Sequence, residues 1–222
     1  MELLDKIPVQ LDSDKVVSRL HLGEKYLEAI QEAIEIAHSL IKPQVVYEVS
    51  YVTHKNTDSV DIDDVRFTSR VLRVNLDRVN RVFPYIMTIG AELENKATSS
   101  KDLMKQFYLE TMGDLALDHI GTYLEEHLTT KYRLGKISEM NPGSLEDWPI
   151  TEQKPLFSIF GDVHDLIGVK LTESFLMIPR KSVSGIYFPK EVTFYSCQLC
   201  PRENCEERQA PYDETLKAKY EI

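Results

Sequence analysis

A helix-period stripe and a strand-period run meet at Pro43, and that junction narrows the architectures open to the chain. From Glu24 to Ile41 the apolar residues Leu27, Ile30, Ile34, Ala37 and Ile41 recur every three or four positions, which gathers them on one face of an amphipathic helix. Pro43 cannot continue that helix. Directly after it, "VVYEVSYV" (residues 45–52) alternates Tyr47, Val49 and Tyr51 with Glu48 and Ser50, the period of a half-buried strand. "DIDDVRFTSRVLRVNL" and "VFPYIMTIG" add further strands or short mixed elements. Helical spacing returns between about Lys101 and Leu134, with Leu103, Phe107, Leu117, Ile120, Leu124 and Leu128; Gly113 and Gly121 inside it mark close packing, a kink or a break. "MNPGSLEDWP" reads as a loop, because Pro142 with Gly143 specifies a tight reversal. "LFSIFGDVHDLIGV" then reads as a helix, and "GVKLTESFLMIPRKSVSGIYF" and "EVTFYSC" as strands. Helix and strand patterns are segregated rather than alternating, which predicts an α+β fold with an antiparallel sheet.

Composition narrows the function. The 222 residues suit one domain that needs no covalent staples. A net charge of −10 argues against nucleic acid as a partner, since phosphate binding needs clustered lysine and arginine. The N-terminal "MELLDKIPVQLDSDK" lacks a signal peptide's basic start and apolar core, and no run reaches membrane-span length. A cytoplasmic location with no membrane partner is the expectation. The sequence leaves the oligomeric state open.

Two segments carry chemistry. Ser182, Val183, Ser184 and Gly185 stand between an apolar run and Tyr187 and Phe188, where small residues mark backbone that comes close to something, or a β-turn entering an edge strand. Cys197, Cys200 and Cys205 form a C-x2-C-x4-C cluster. Thiolates at that spacing can converge on zinc or hold an iron–sulfur cluster, act as redox thiols, or simply remain reduced in a turn-rich tail. The histidines, His21, His38, His54, His119, His127 and His164, are scattered, and packed or solvated roles suit His119 and His127. "DIDD" (residues 61–64) lacks the glycine and the terminal glutamate of a calcium loop and reads as a polar turn.

"LTES" followed by "SVSG" and an aromatic pair resembles the signature of the activation domain of cobalamin-dependent methionine synthase, and "NPGSLEDWP" stands where that family has its Pro-Gly-Tyr loop. The resemblance runs most closely from Asn141 to Tyr195. It implies an α+β fold, C-shaped, with a central antiparallel sheet flanked by helices, spanning residues 1–222. Residues 1–100 are less closely comparable, and residues 197–212 form a cysteine-containing C-terminal segment. It also implies S-adenosylmethionine binding and docking on a corrinoid-binding protein that carries cobalamin, so that inactive cobalt is reduced and remethylated by a module that is not catalytic alone.

By the same resemblance Asn141, Pro142, Gly143, Ser182, Val183, Ser184, Gly185, Tyr187 and Tyr195 line the ligand cleft, and Asp118 on the long helix holds an ammonium, unless it is simply a solvated helical aspartate. The family's loop carries arginine three residues before the proline and tyrosine after the glycine; Glu139 and Ser144 stand there in this chain. A carboxylate in place of a guanidinium repels a ligand carboxylate instead of pairing with it. Trp148 is either a substitute aromatic face or a buried loop anchor. The alternatives are a redox activase with a metal or iron–sulfur centre at the three cysteines, and a non-catalytic subunit of a methyltransferase assembly.

Overall fold

A computed structural model describes residues 1–20, 24–191, 193–205 and 208–221; His21 and Val192 lie outside the described residues. In chain order the elements are β1 (Glu2–Leu4), α1 (Ser13–Leu20), α2 (Leu27–Leu40), β2 (Gln44–Tyr47), β3 (Ser50–Lys55), β4 (Ser59–Ile62), β5 (Val65–Thr68) and α3 (Arg70–Asn75). There follow β6 (Arg81–Thr88), α4 (Glu92–Thr98), α5 (Leu103–Tyr132), β7 (Ile137–Met140), α6 (Gln153–Ser158), α7 (Val163–Ile167), β8 (Lys170–Leu171), β9 (Met177–Ile178), β10 (Ser182–Pro189) and α8 (Glu214–Tyr220). The result is an antiparallel central sheet flanked by helices.

β6 is the centre of that sheet. One of its edges pairs with β10, from Ser182 opposite Thr88 to Tyr187 opposite Phe83, and β7 extends the sheet beyond β10. Its other edge is shared, β2 pairing with residues 85–88 and β3 with residues 81 and 82. The single strand read across residues 45–52 is therefore two, interrupted at Glu48 and Val49. Pro84 explains how a proline is tolerated in a central strand: a residue's N–H and C=O point to the same edge, the Pro84 carbonyl accepts from Glu48 N at 3.0 Å, and its absent N–H falls in the gap between β2 and β3.

All of β6 except Arg81 is buried because both faces of the sheet are covered. Phe83, Tyr85 and Met87 pack with Ile30 and Ile34 of α2 and with Met112, Ile120 and Leu124 of α5. On the opposite face Val82, Ile186 and Phe188 meet Met140, Trp148 and Leu156, and Ile86 meets Phe157 and Phe160. At about 25 cal/mol per Å² of apolar surface, each such side chain contributes roughly 1.5–3 kcal/mol.

α5 runs unbroken for 30 residues. The Asp102 carboxylate caps it by accepting from Met104 N at 2.9 Å. Gly113 does not kink it. A Cβ there would lie 3.2 Å from Lys181 Cε and 3.3 Å from Ile89 Cδ1, so the glycine serves close packing.

Other expectations need correction. The helix read across residues 156–169 is two short ones, α6 and α7, parted at Gly161 and Asp162, where the Asp162 side chain caps α7. The described residues of "EVTFYSC" form no strand: beyond Pro189 the chain leaves the sheet, Phe194 turns inward against Tyr220, and Ser196–Gln198 form a 3-10 turn. The helix read from Glu24 begins as a 3-10 turn, Glu24–Tyr26, and becomes α-helical at Leu27. "DIDD" closes the β4–β5 hairpin, with Asp61 paired to Arg66 at 2.7 Å.

Gly185 tests this packing most sharply, because a Cβ there would lie 2.6 Å from both Asn141 Nδ2 and the Met140 carbonyl oxygen, whereas at Gly121 it would meet only Met87 Cε at 3.6 Å. Gly185→Ala should destabilise by about 1–3 kcal/mol or more. Gly121→Ala should be neutral or stabilising by up to about 1 kcal/mol, through helix propensity. Urea denaturation of the two variants beside the parent checks both signs.

Candidate functional site

A cleft of about 700 Å³ opens beside α5. Glu125 enters it from α5, Glu139 from β7, Asn141 from the turn that follows, Tyr187 from β10, and Phe194, Tyr195, Cys197 and Cys200 from the segment after the sheet. The turn is built locally: Ser144 N donates to the Asn141 carbonyl at 3.1 Å, and Gly143 takes φ +90°, which a side chain would resist.

The floor is a polar node on one face of the sheet. The Asn141 amide donates to Glu139 Oε1 at 2.8 Å, to the Tyr85 hydroxyl at 2.9 Å and to the Ser184 carbonyl at 3.0 Å. Tyr85 in turn donates its hydroxyl proton to Glu139, and its ring stacks on Tyr187 with centroids 5.0 Å apart. Gly185 leaves the space in which the Asn141 amide lies. Burial, and then the negative charge of Glu139, push both phenols well above the ordinary tyrosine range, so Tyr85 and Tyr187 stay neutral donors. Glu125 faces this node. Its carboxyl titrates higher than usual, first because the cleft wall desolvates it and then because Glu139 and Glu126 are negative.

The sequence-derived site residues do not all reach the cleft. Asn141, Tyr187, Tyr195, Cys197 and Cys200 line the cleft, as do Glu139 and Ser144. Strand alternation sends Ser182 and Ser184 to the opposite face from Gly185 and Tyr187. There Ser184 Oγ donates to Gln153 Oε1 at 2.6 Å, and Ser182 Oγ donates to Thr88 Oγ1 at 2.9 Å. Val183 packs against the core on the α5 side.

Trp148 is 1% exposed and sits edge-on to Phe67, so it anchors the loop within the core. Its neighbour Asp147 accepts from Val71 N at 2.9 Å and thereby fastens the loop to the start of α3. Pro142 makes the turn but is not part of the cleft wall. Gly143 lines a second opening of about 830 Å³, which also includes Asp147, Ile150 and Lys217; Ser144 and Cys200 border both openings.

Asp118 is exposed on α5 and does not line the cleft. Glu125 does, seven residues later and about 10 Å further along the same helix face. The sequence reading missed Glu125, although a spacing of two turns from Asp118 pointed to it. Tyr85 gave no signal, because "VFPYIM" reads as core alone.

The three cysteines are free and partly exposed. Among the described residues, the group whose potential metal-ligand atoms all lie within 4.8 Å of one another is Asp162, His164 and Asp165, not the thiols. A cation of the chain itself ties the cysteine loop together: the Arg208 guanidinium donates to the carbonyls of Cys197 at 3.0 Å and Cys200 at 3.2 Å, and to that of Arg202. As folded, the loop does not fit a metal held by three thiolates.

Residues 142–210 match the family described as vitamin B12 dependent methionine synthase, activation domain. The chain resembles that activation domain. Its fold is that of a solved structure titled "Crystal Structure of the MetH Reactivation Domain bound to AdoHcy", with a TM-score of 0.56, 16% identity, and coverage of 85% of this chain and 81% of that one. No curated protein matches the chain. The activation-domain match extends beyond Tyr195 and takes in all three cysteines.

Glu125 supplies a pH test. A carboxyl whose folded pKa lies above the unfolded value, 4.5, binds more protons in the native state, so its contribution to stability falls as pH rises from there through the folded value. Glu125→Gln should gain stability relative to the parent across that window and level off above it, as read by denaturation from acid to neutral pH. Arg208→Met should release the cysteine loop, and Cys200 should then react several-fold faster with a thiol reagent while the far-UV spectrum is unchanged.

Proposed function

We propose that this protein acts as an activation-domain-like module that binds an S-adenosyl ligand in the cleft beside α5 and docks on a protein carrying cobalamin. The observation that carries this reading is coincidence of place: the segment that matches the activation-domain family, residues 142–210, supplies Tyr187, Tyr195 and the turn that border the cleft. Its volume, about 700 Å³, suits a nucleoside-sized ligand.

The lining fits S-adenosylmethionine in kind. Tyr195 and Phe194 offer rings against which an adenine can pack, while Glu125 and Glu139 offer acceptors for ribose hydroxyls or an ammonium group. Held there, S-adenosylmethionine supplies a transferable methyl group. The chain's own residues bind and orient it, and the cobalt chemistry belongs to the corrinoid partner. By binding one arrangement of that partner more tightly than others, the module raises the population competent for reactivation. A cytoplasmic location belongs to the same reading; among the described residues no helix is long and apolar enough to cross a membrane.

Calorimetric titration with S-adenosylmethionine should give micromolar binding. Tyr195→Ala, at a side chain that is 38% exposed and so dispensable for folding, should weaken it about tenfold through lost stacking. A cobalamin-loaded corrinoid protein should co-sediment with the chain, its visible absorbance travelling with the complex. Absence of binding to both would overturn the reading.

A further inference from the structure

The charges around the cleft are one-sided. Among its described lining residues the charged side chains are Glu125 and Glu139, and no lysine, arginine or histidine joins them. A ligand carboxylate entering here would meet two carboxylates and no counter-cation.

The neutral donors nearest to Glu139 are already engaged. Asn141 spends its amide on Glu139, Tyr85 and the Ser184 carbonyl, and Tyr85 donates to Glu139. Tyr187 stands directly opposite Glu139 in the β10–β7 ladder. Glu139 is thus held by the Asn141 amide and by Tyr85 on the central strand of the sheet, and swinging it aside to admit an anion would break both bonds. Turning Asn141 towards a ligand would withdraw the two N–H groups shared among Glu139, Tyr85 and the Ser184 carbonyl, and leave that carbonyl without this donor. Glu125 stands across the opening on α5, and the field of Glu139 already disfavours its ionised form. A cation between the two carboxylates relieves that repulsion, and the faces of Tyr187 and Tyr195 add cation–π attraction.

We propose that the cleft selects its ligand by positive charge and against a carboxylate: it takes an adenosyl sulfonium through its cationic groups, held between Glu125 and Glu139, in preference to the neutral thioether. This inference rests on the reading that the cleft binds an S-adenosyl ligand, and it assigns to Glu139 the choice among such ligands.

Three probes separate the two ideas: decarboxylated S-adenosylmethionine, S-adenosylmethionine and S-adenosylhomocysteine, titrated into the protein and into Glu139→Gln and Glu125→Gln. The decarboxylated cation should bind tightest and the thioether weakest, each step about five- to tenfold, the size expected of a partly screened charge pair. Glu139→Gln keeps an oxygen for Tyr85 and Asn141 and should shrink both steps. Glu125→Gln, at an exposed position on α5, should do the same independently should Glu139→Gln disturb the fold. If the three ligands bind within about twofold of one another, or S-adenosylhomocysteine binds tightest, the selection by charge is overturned and the cleft remains an S-adenosyl site. If none of them binds the parent protein, the reading of the cleft falls and this inference falls with it.

Discussion

Where β7 leaves the sheet beside β10, the carbonyl of Met140 and the amide of Asn141 occupy the space in which Gly185 would carry a Cβ. That close approach sets how tightly the two strands join, and through the β10–β6 ladder it ties the cleft to the central strand. A methyl group at this one position would push on a neighbouring backbone, on the amide that bridges three acceptors and on the Tyr85 ring, 3.0 Å away. Core packing elsewhere in the sheet involves flexible side chains that can yield. Here two of the three contacts belong to groups with a defined place.

The second constraint is the cost of burying polar groups. Tyr85 is fully buried and Tyr187 nearly so; the Tyr85 hydroxyl donates to Glu139, the residue opposite Tyr187 in the β10–β7 ladder. An unpaired phenol or amide at that depth would cost about 1–3 kcal/mol. Tyr85, Asn141 and Glu139 therefore satisfy one another, and the set is stiff because each of the three is bonded to the other two. Stiffness has a functional consequence: the charge at the floor of the cleft is negative and stays where it is. Ser182 and Ser184 answer to the same rule on the other face, where their hydroxyls find Thr88 and Gln153 rather than a ligand.

Much of the fold was legible in the sequence, and the failures have local causes. The α2 stripe, the long helix, the turn at Pro142 and Gly143 and the segregation of helices from strands came from periodicity and turn chemistry, which neighbouring residues set. Residues 45–52 were misread as one strand because alternation continues through Glu48 and Val49, while the break depends on where Pro84 falls on the partner strand. "EVTFYSC" has strand composition, but its described residues pair with no strand, and Phe194 is drawn into the core against Tyr220 instead. In the cleft, Asn141, Tyr187, Tyr195 and the first two cysteines were marked by motif. Glu125 lies two turns beyond the aspartate that attracted attention, and Tyr85 lies inside an apolar run.

The sequence by itself determined that the chain makes an α+β fold with an antiparallel sheet, that it resembles an activation domain, and that its "NPGS" turn and "SVSG" strand matter. Those are properties of spacing and residue type, carried by neighbours along the chain. Only the tertiary structure decided which side chains share the cleft. Alternation in β10 turns Gly185 and Tyr187 towards α5 and both serines away from it, burial takes Trp148 into the core, and the rise of α5 brings Glu125 rather than Asp118 opposite Glu139. Residues far apart in sequence, Tyr85, Glu125, Glu139 and Tyr187, acquire a common electrostatic role only when sheet and helix pack together, because charge and desolvation act through space and not along the chain.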